Sequence, residues 1–428
     1  MKTPIRITSA KRESSWLKKR HALVRTLFKP LLRLVVHLKY KIQTVRFKEQ
    51  GKRPYLILYN HQTPFDQFFV EMSFKGPIYY VATEDIFSMG WISSVIKWLV
   101  APIPIQKQSL DLNAVKTILK VAKEGGTIAI APEGNRTYSG KTEYMNPAIA
   151  HLAKKLKLPI ALFRIEGGYG VEPRWSDKTR KGQMKSYVSR VIEPEEFASM
   201  SKDTLMEEIQ KGLYVNEAAK DGLFRSRKKA EFLERAIYVC PFCGFSPFYS
   251  QGNEVECLTC HRKITYHEDK HLSGVGFDFP FTFVNDWYEY QKDFVNHFDP
   301  FSEEASPTDS PQGLVGDALR GACLFHDTAE VSRVIPYKHK VPLYPKASLF
   351  LYGDKVEIVP SEGDSLIIPF DELQGAAVLG HNKLNLFYQD TIYQFKGDKH
   401  FNALKYMNLF YRFKNLVSED KHGEFLGL

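Results

Sequence analysis

Short apolar runs alternate with helical periods along residues 55 to 192. Runs of roughly four to eight apolar residues are typical of buried strands, and apolar positions that recur every three or four residues are typical of helices. The alternation predicts an α/β domain with a mixed sheet and flanking helices. Strands are predicted at 55–59, 78–82, 103–106, 127–131, 160–165 and 185–192. Helices are predicted at 64–74, 91–100, 111–123 and 147–156, and a charged helical stretch, 203–235, is expected to close the domain.

The hydrophobic period changes to two in the last quarter of the chain. Two hairpins are predicted there, each with a polar turn between alternating strands. Together with a final helix that carries Phe401, Leu404 and Phe410, they predict a mainly-β domain over residues 314–428. This architecture resembles a pleckstrin-homology-like domain, which implies a lipid-binding or structural module. The hairpin strands are 348–352 with 355–359, and 384–388 with 391–395.

The N-terminal region is basic and has one amphipathic helical period. We expect residues 1–22 to be a mobile basic arm, followed by a helix from about residue 23 to residue 47 that Pro30 starts or kinks. Such a helix is typical of a membrane-surface element. The alternative is a helix packed on its own domain with a solvated basic face. The basic stripe is Arg25, Lys29, Arg33, His37 and Lys41, and the apolar side is Leu27, Leu31, Leu34, Val35 and Leu38.

Length and charge limit the class of protein. A chain of 428 residues is long enough for two or three domains. Residues 1–53 contain sixteen Lys and Arg against two Glu, a net charge of +14, whereas the whole chain has +10. The asymmetry indicates that the N-terminus meets an anionic surface, either membrane or nucleic acid. We see no signal-peptide core and no apolar run of roughly 18–20 residues, so we expect a soluble or peripheral cytosolic protein.

Four of the five cysteines form two Cys-x2-Cys pairs about a dozen residues apart. This spacing predicts a zinc ribbon over residues 236–270, in which four thiolates close a tetrahedral structural site. Disulfides are the alternative, which the lack of a secretion signal disfavours. The fifth cysteine, Cys323, is expected in the core. Residues 271–313 are expected to hold an aromatic helix at 284–294 and a linker at 302–313. The predicted zinc ligands are Cys240, Cys243, Cys257 and Cys260.

A histidine and an aspartate follow the first predicted strand. We expect Thr63 to cap the next helix, with Pro64 in its first position and Asp66 in its third. His61 then lies on the turn before the helix, within reach of Asp66. The carboxylate would fix the imidazole tautomer and stabilise the imidazolium when His61 takes a proton. Because no Ser or Cys lies between them, that proton should come from a bound substrate. The alternative is a capped helix with an incidental histidine before it.

A second motif, Pro-Glu-Gly-Asn-Arg-Thr at 132–137, follows the predicted strand 127–131. With the His-x4-Asp motif at 61–66, the chain resembles the glycerolipid (lysophospholipid) acyltransferase family, which carries His-x4-Asp after one strand and Pro-Glu-Gly-Thr-Arg-Ser after a later one. The two motifs occur in the family's order and at about its spacing. The resemblance covers about residues 31–235.

The resemblance implies transfer of an acyl group from a thioester of coenzyme A or acyl carrier protein to a hydroxyl of a lysophospholipid, such as lysophosphatidate. His61 would be the general base and Asp66 would orient it. Arg136 would hold the acceptor's phosphate through its planar fork. Glu133 would order the site or contact substrate, and Gly134 would allow a close backbone approach.

Three departures from the family pattern leave the acceptor's identity open. Lys107 stands where the family usually has Arg, Asn135 stands where Thr is usual, and residues 159–162 lack a second proline. The alternatives are a different lipid or non-phosphorylated acceptor, and an inactive membrane or nucleic-acid adaptor. The predicted substrate-binding residues are Glu133, Gly134, Asn135, Arg136 and Lys107.

The expected partners follow from this interpretation. They are a membrane lipid acceptor, an anionic membrane surface and acyl carrier protein as one of two donor types, whereas nucleic acid is disfavoured. Structural zinc is the expected metal. The expected location is cytoplasmic, at the inner face of the membrane.

Overall fold

The computed structural model describes most of the chain. Lys107 and the predicted linker at 302–313 lie outside the described residues. The described residues are 15–51, 53–83, 87, 91–105, 112–301, 323–335, 339–418 and 423.

A mixed sheet of seven strands organises the N-terminal half. Its strands are β1 (Ile42–Thr44), β2 (Leu56–Tyr59), β3 (Ile78–Thr83), β4 (Ile103–Ile105), β5 (Thr127–Ile130), β6 (Ile160–Glu166) and β7 (Met184–Ile192). Their order across the sheet is β1-β7-β6-β2-β5-β3-β4. The pairs from β6 to β4 are parallel, whereas β7 runs antiparallel to β6. The prediction of a mixed α/β domain is therefore confirmed.

Strand β2 lies at the centre of this sheet because both of its faces are apolar. Leu56 and Leu58 pack into the core on one face, and Ile57 and Tyr59 pack into the core on the other. A continuous apolar run is what a strand covered on both sides requires. The covering helices are α1 (Lys19–Tyr40), α2 (Asp66–Ser73), α3 (Trp91–Val100), α4 (Leu112–Lys123), α5 (Ala148–Leu156), α6 (Gly168–Val171), α7 (Pro194–Ala198) and α8 (Lys202–Leu213).

Two predicted helices have different bounds. The stretch predicted as helical at 203–235 is helical only to Leu213, apart from a 3-10 turn at Leu233–Arg235. Helix α1 begins at Lys19 and ends at Tyr40, with Pro30 inside it. Of the two predicted alternatives for Pro30, that it starts the helix is therefore wrong and that it kinks the helix stays a prediction; the prediction that the helix reaches residue 47 is wrong. Pro30 lies on the exposed side of α1, where water can hydrogen-bond the carbonyl that loses its partner.

The described part of the N-terminal segment is packed rather than loose. The backbone N–H groups of Trp16 and Leu17 donate to the carboxylate of Glu124, at 3.2 and 3.0 Å. The indole of Trp16 donates to the carbonyl of Ala101 at 3.2 Å. The predicted mobile arm therefore does not extend to residue 22.

Helix α1 packs two cations of its basic stripe against the domain, whereas Arg33, His37 and Lys41 of that stripe are exposed. Arg25 donates to Glu71 and to the carbonyl of Phe74, and Lys29 donates to the same carbonyl at 3.1 Å. These cations face the C-terminal end of α2, where the helix dipole is negative. The apolar side is exposed, with accessible fractions between 54 and 70 %. We call this side the apolar face of α1; it comprises Leu23, Leu27, Phe28, Leu31, Leu34 and Leu38.

The cysteine region and the following helix form the middle of the chain. A two-stranded ribbon pairs β8 (Val239–Cys240) with β9 (Gly244–Phe245). A four-stranded antiparallel sheet follows and precedes α9 (Val284–His297). The strands of that sheet are β10 (Phe248–Gln251), β11 (Glu254–Cys257), β12 (Lys263–Tyr266) and β13 (Leu272–Gly274).

The C-terminal part is an antiparallel sheet of seven strands that ends in one helix, α10 (Leu404–Val417). The prediction of a mainly-β domain closed by a helix is confirmed. Cys323 is exposed, so its predicted place in the core is wrong. The strands are β14 (Phe325–Val334), β15 (Lys340–Leu351), β16 (Lys355–Pro360), β17 (Leu366–Pro369), β18 (Leu373–Leu379), β19 (Lys383–Tyr388) and β20 (Thr391–Gly397), in the order β17-β16-β15-β14-β20-β19-β18.

One apolar core joins the cysteine region to the C-terminal sheet, and it also includes Tyr138 and Trp175 from the α/β half. The C-terminal half is therefore packed against the loops that follow β5 and α6. Within the described residues, no helix combines the length and the apolarity that crossing a bilayer requires.

Candidate active site

The candidate site lies where the parallel strands β2, β5 and β6 end. Carboxyl ends of neighbouring parallel strands meet at one edge of a sheet, and ligands of α/β sheets bind there. Asn60, at the end of β2, donates to the carbonyl of Ile165 at 2.8 Å and accepts from its N–H at 2.7 Å. This pair of hydrogen bonds fixes the end of β2 against β6, just before His61.

His61 and Asp66 are in direct contact. Nδ1 of His61 lies 2.8 Å from Oδ2 of Asp66, which is fully buried. An ionised carboxylate only accepts, so Nδ1 carries the proton and Nε2 is left to act as a base. About 25 % of the His61 side chain is exposed, so a substrate can reach it.

The loop between β2 and α2 holds the Asp66 carboxylate in place by itself. The N–H of Gln62 donates to Oδ2 at 2.6 Å, and the N–H and hydroxyl of Thr63 donate to Oδ1 at 2.9 and 2.8 Å. The hydroxyl of Thr63 also accepts from the N–H of Phe65 at 3.1 Å. Helix α2 begins at Asp66 with Phe65 as its N-cap residue, so the predictions that Thr63 caps it and that Asp66 is its third residue are wrong. The hydrogen bonds of Thr63 instead order the turn that precedes the helix.

The loop after β5 supports the backbone of His61. Oε1 of Glu133 accepts from the His61 N–H at 2.9 Å, and the N–H of Thr137 donates to the His61 carbonyl at 3.4 Å. Burial raises the pKa of Glu133 to about 8. Gly134 has φ of +66°, and no protein atom lies within 4 Å of where a Cβ would be. The glycine is thus favoured by its left-handed backbone. Asn135 is partly exposed in the same loop.

Arg136 joins the two motifs. Its Nε donates to the carbonyl of Gln62, next to His61, at 3.2 Å, and its Nη2 donates to the carbonyl of Glu172 at 2.7 Å. Burial lowers the pKa of Arg136 to about 10, so it is still a cation at neutral pH. A guanidinium has five N–H donors, and these two bonds leave others for an anionic ligand.

Two residues that the sequence did not indicate hold Arg136 from outside both motifs. Glu172 supplies the carbonyl just described, and its carboxylate accepts from Lys39 at 3.2 Å and from the Tyr40 hydroxyl, both at the end of α1. Arg174 donates through Nη1 to the Arg136 carbonyl at 2.8 Å. Residues 172–174 have no periodic pattern, so only the folded contacts reveal them.

Arg174 also reaches the C-terminal sheet. Its Nη2 donates to the carbonyl of Val378 in β18 at 3.4 Å, and its guanidinium carbon lies 4.1 Å from the ring centroid of Tyr138. Nearby, the buried Arg235 binds Asp177 at 2.7 Å and the carbonyl of Lys399 at 2.6 Å. The loop after α6 is thus held between Arg136 and the C-terminal domain.

The four predicted zinc ligands come together. Their Sγ atoms all lie within 4.8 Å of one another, those of Cys240 and Cys260 are 3.9 Å apart, and all four are free thiols. Tetrahedral Zn²⁺ with bonds of about 2.3 Å to sulfur separates its ligands by about 3.8 Å. The cluster therefore suits a tetrahedral thiolate-bound metal ion.

The chain is similar to known acyltransferases over part of its length. Residues 33–165 match the Acyltransferase family model. The chain is 28% identical over 129 residues to the 1-acyl-sn-glycerol-3-phosphate acyltransferase of Bacillus subtilis (strain 168). The aligned segment covers 30% of this chain and 61% of that protein. The match thus spans about three fifths of the relative's length.

Two solved structures show weaker likenesses. The crystal structure of the 1-acyl-sn-glycerophosphate (LPA) acyltransferase PlsC from Thermotoga maritima has a TM-score of 0.39 and 16% identity, over 45% of this chain and 77% of that one. The N-terminal PH domain of human ARAP2 has a TM-score of 0.18 and 15% identity, over 22% and 86%. Neither score establishes a fold by itself.

Both motifs of the candidate site lie within the matched residues. His61, Asp66, Glu133 and Arg136 are all between residues 33 and 165, on loops at one edge of the sheet, whereas Glu172 and Arg174 lie beyond the match. The part of the chain that matches the Acyltransferase family model, residues 33–165, therefore contains both motifs of the candidate site.

Proposed function

We propose that this chain is an O-acyltransferase that moves a fatty acyl group from an acyl thioester to a free hydroxyl of a lysophospholipid such as lysophosphatidate. The observation that carries the proposal is the His61–Asp66 contact beside the partly buried cation of Arg136 at one sheet edge. A base and a phosphate-binding group are what this acceptor requires. The match of residues 33–165 to the Acyltransferase family supports the same chemistry.

His61 acts on the acceptor hydroxyl. Nε2 takes the hydroxyl proton while the oxygen attacks the thioester carbonyl, and Asp66 stabilises the imidazolium that forms. The tetrahedral intermediate then collapses, so that the C–O ester bond is kept and the C–S bond breaks. The departing thiolate takes the proton from His61 Nε2, which restores the neutral base. The donor is a thioester of coenzyme A or of acyl carrier protein.

Arg136 orients the acceptor through its phosphate. Its bonds to the carbonyls of Gln62 and Glu172 fix the plane of the guanidinium, so the fork is preorganised for a bidentate contact. Lys107 is proposed as a further cation for the same substrate, by its place in the family pattern.

The chain reaches its lipid acceptor through the apolar face of α1, at the cytoplasmic side of a membrane. The N-terminal end of α1 contacts α3, since Arg20 donates to the Trp98 carbonyl at 2.9 Å. Trp91 and Trp98 of α3 are exposed by 76 and 58 %. Such a surface suits a helix that lies in the plane of the interface, with its apolar side in the acyl boundary.

Zinc has a structural role in this proposal. Cys240, Cys243, Cys257 and Cys260 would hold it, and a closed four-thiolate site supplies folding energy rather than chemistry. Elemental analysis of reduced, folded protein should find one zinc per chain. A folded preparation without zinc, or with zinc that survives replacement of two of these cysteines by serine, contradicts the assignment.

A thiol-release assay tests the activity. Purified protein is incubated with an acyl-CoA or an acylated carrier protein and one acceptor at a time: lysophosphatidate, a zwitterionic lysophospholipid or a monoacylglycerol. We expect free thiol and diacylated product with lysophosphatidate. If the protein prefers an acceptor without a free phosphate, lysophosphatidate is not its substrate, and the same acyl transfer to another hydroxyl is the function. Absence of thiol release with every donor and acceptor leaves the inactive adaptor.

A further inference from the structure

A basic cavity lies near the C-terminal end of α2, whereas His61 precedes the start of that helix. Its volume is about 330 Å³, which falls in the size range of small-molecule sites. Helix α2 starts at Asp66, and Met72 of the cavity is about 9 Å further along its axis. The cavity is therefore separate from the candidate active site. It is lined by Arg33, Val36, His37, Ile42, Thr44, Arg46 and Met72.

The polar part of this lining suits an anion. Among the described residues, no carboxylate forms an ion pair with Arg33 or Arg46. The hydroxyl of Thr44 accepts from the Ser186 hydroxyl at 3.1 Å, so its own proton is available to a ligand. Burial and then the neighbouring charges of Arg25, Arg33 and Arg46 lower the pKa of Lys29 to about 8, so the cavity cations lie close to further positive charge.

The position of the cavity favours a lipid headgroup. Arg33 and His37 line it from α1, and their sequence neighbours Leu34 and Leu38 belong to the exposed apolar face of the same helix. A helix that lies in a membrane interface has its apolar side at the acyl boundary and its cations among the headgroups. The cavity thus lies beside the apolar face of α1, which is the surface suited to the acyl layer of a membrane.

We propose that this cavity binds the phosphate headgroup of an anionic membrane phospholipid, at a site distinct from the acceptor site. Arg33 and Arg46 make the charge-assisted hydrogen bonds, Thr44 donates a third, and Ile42 and Met72 contact the glycerol region. The inference rests on the proposed docking of α1 on a membrane. A lipid bound here would add specificity for anionic lipid to the non-specific attraction of the N-terminal charge.

Two charge-matched double variants of the full-length protein test the site. Arg33→Gln with Arg46→Gln removes two cavity cations. Lys41→Gln with Lys48→Gln removes two exposed cations from the same region that do not line the cavity. Co-sedimentation is measured with vesicles of phosphatidylcholine alone and of phosphatidylcholine mixed with phosphatidylglycerol, with and without inorganic phosphate. Circular dichroism and thiol release with a short-chain soluble acceptor show that both variants are folded.

We expect the cavity variant to lose about ten-fold more affinity for the anionic vesicles than the control variant, as two lost charge-assisted bonds to phosphate imply. Binding to neutral vesicles should change equally in both. Equal losses on anionic vesicles overturn the proposal, since surface charge alone then accounts for binding. Displacement of wild-type protein from the vesicles by low inorganic phosphate, at constant ionic strength, also overturns it in favour of a free-phosphate site. Wild-type protein that binds no vesicle refutes the docking itself, whatever its thiol-release activity.

Discussion

The two loops that build the candidate site are held in different ways. The loop from His61 to Asp66 is largely self-contained, because the donors to the Asp66 carboxylate come from Gln62, Thr63 and His61 itself. Arg136, in contrast, is fixed by Gln62, Glu172 and Arg174, and Arg174 in turn contacts the C-terminal sheet. The His61–Asp66 contact is thus specified locally, whereas the position of Arg136 depends on distant parts of the chain; in the proposed mechanism, proton transfer depends on the first and acceptor recognition on the second.

Apart from the loss of His61 itself, Asp66→Asn should have the largest effect, because it removes the acceptor that fixes the His61 tautomer. We expect kcat to fall by about 10³ to 10⁴-fold with every acceptor. Thr63→Ala is the control, since it removes one hydrogen bond from the same carboxylate and keeps the charge; it should reduce kcat much less. Thermal melts of both variants separate loss of chemistry from loss of the turn. Comparable kcat losses in the two variants would mean that the turn, and not the dyad, matters.

Arg136→Lys should have the next largest effect, and it should weaken the use of only one substrate, the phosphorylated acceptor. A point charge replaces a planar fork, so kcat/KM for lysophosphatidate should fall by about ten- to a hundredfold. The KM for the acyl thioester should change little, and a monoacylglycerol acceptor should be nearly unaffected. Steady-state kinetics with both acceptors checks this. If the donor and both acceptors weaken alike, Arg136 has a structural role only.

Arg174→Lys tests whether recognition depends on distant contacts. Lysine lacks the planar guanidinium of Arg174, so the hydrogen bond that holds the Arg136 backbone carbonyl is lost. We expect the KM for lysophosphatidate to rise by about ten-fold, with kcat nearly unchanged. Arg180→Lys is the matched control, because Arg180 is also buried and binds the carbonyls of Gly170, at 3.3 Å, and Lys229, away from Arg136. The same KM increase in the control would show that the variants only loosen the loop after α6.

Glu133→Gln should give the smallest effect, on stability. The raised pKa, about 8 in the folded protein against about 4.5 unfolded, means that the folded state keeps a proton that the unfolded state releases. The contribution of protonated Glu133 to folding stability is therefore fully present below about pH 4.5, and it is lost as the pH rises towards 8. Gln cannot ionise and still accepts from His61. Because Glu133 is partly exposed, we expect a gain of only about 1 kcal/mol above pH 8. Denaturant titrations at pH 5 and pH 9 measure this gain, and an equal difference between wild type and variant at both pH values would contradict it.

Sequence patterns located the features of the molecule that short segments of the chain specify by themselves. The spacing of His61 and Asp66 sufficed because a strand, a tight turn and a helix leave few arrangements for two side chains five positions apart. The four cysteines are similar, since two knuckles on neighbouring turns bring their thiols together. The buried runs around β2, β5 and β6 likewise predicted strands because both faces of those strands are covered.

The sequence-based predictions that failed concern features that depend on contacts between residues distant in sequence. The period of α1 separated a basic from an apolar side, but it could not show that Arg25 would find Glu71 on α2 and leave the leucines exposed. The non-helical stretch after Leu213 is held by contacts such as the Thr142 N–H to the Val215 carbonyl at 2.9 Å, which no local pattern predicts. Glu172 and Arg174 were missed for the same reason.

The most direct test of the central claim compares wild type with His61→Ala in the thiol-release assay with lysophosphatidate. The account predicts that wild type forms diacylated product and equimolar free thiol, and that the variant, folded by circular dichroism, loses at least about 10²-fold in kcat, as removal of a general base requires. The loss should persist when the donor is saturating. A folded His61→Ala protein with near-normal turnover would contradict the account, because no proton acceptor would then be needed at the end of β2.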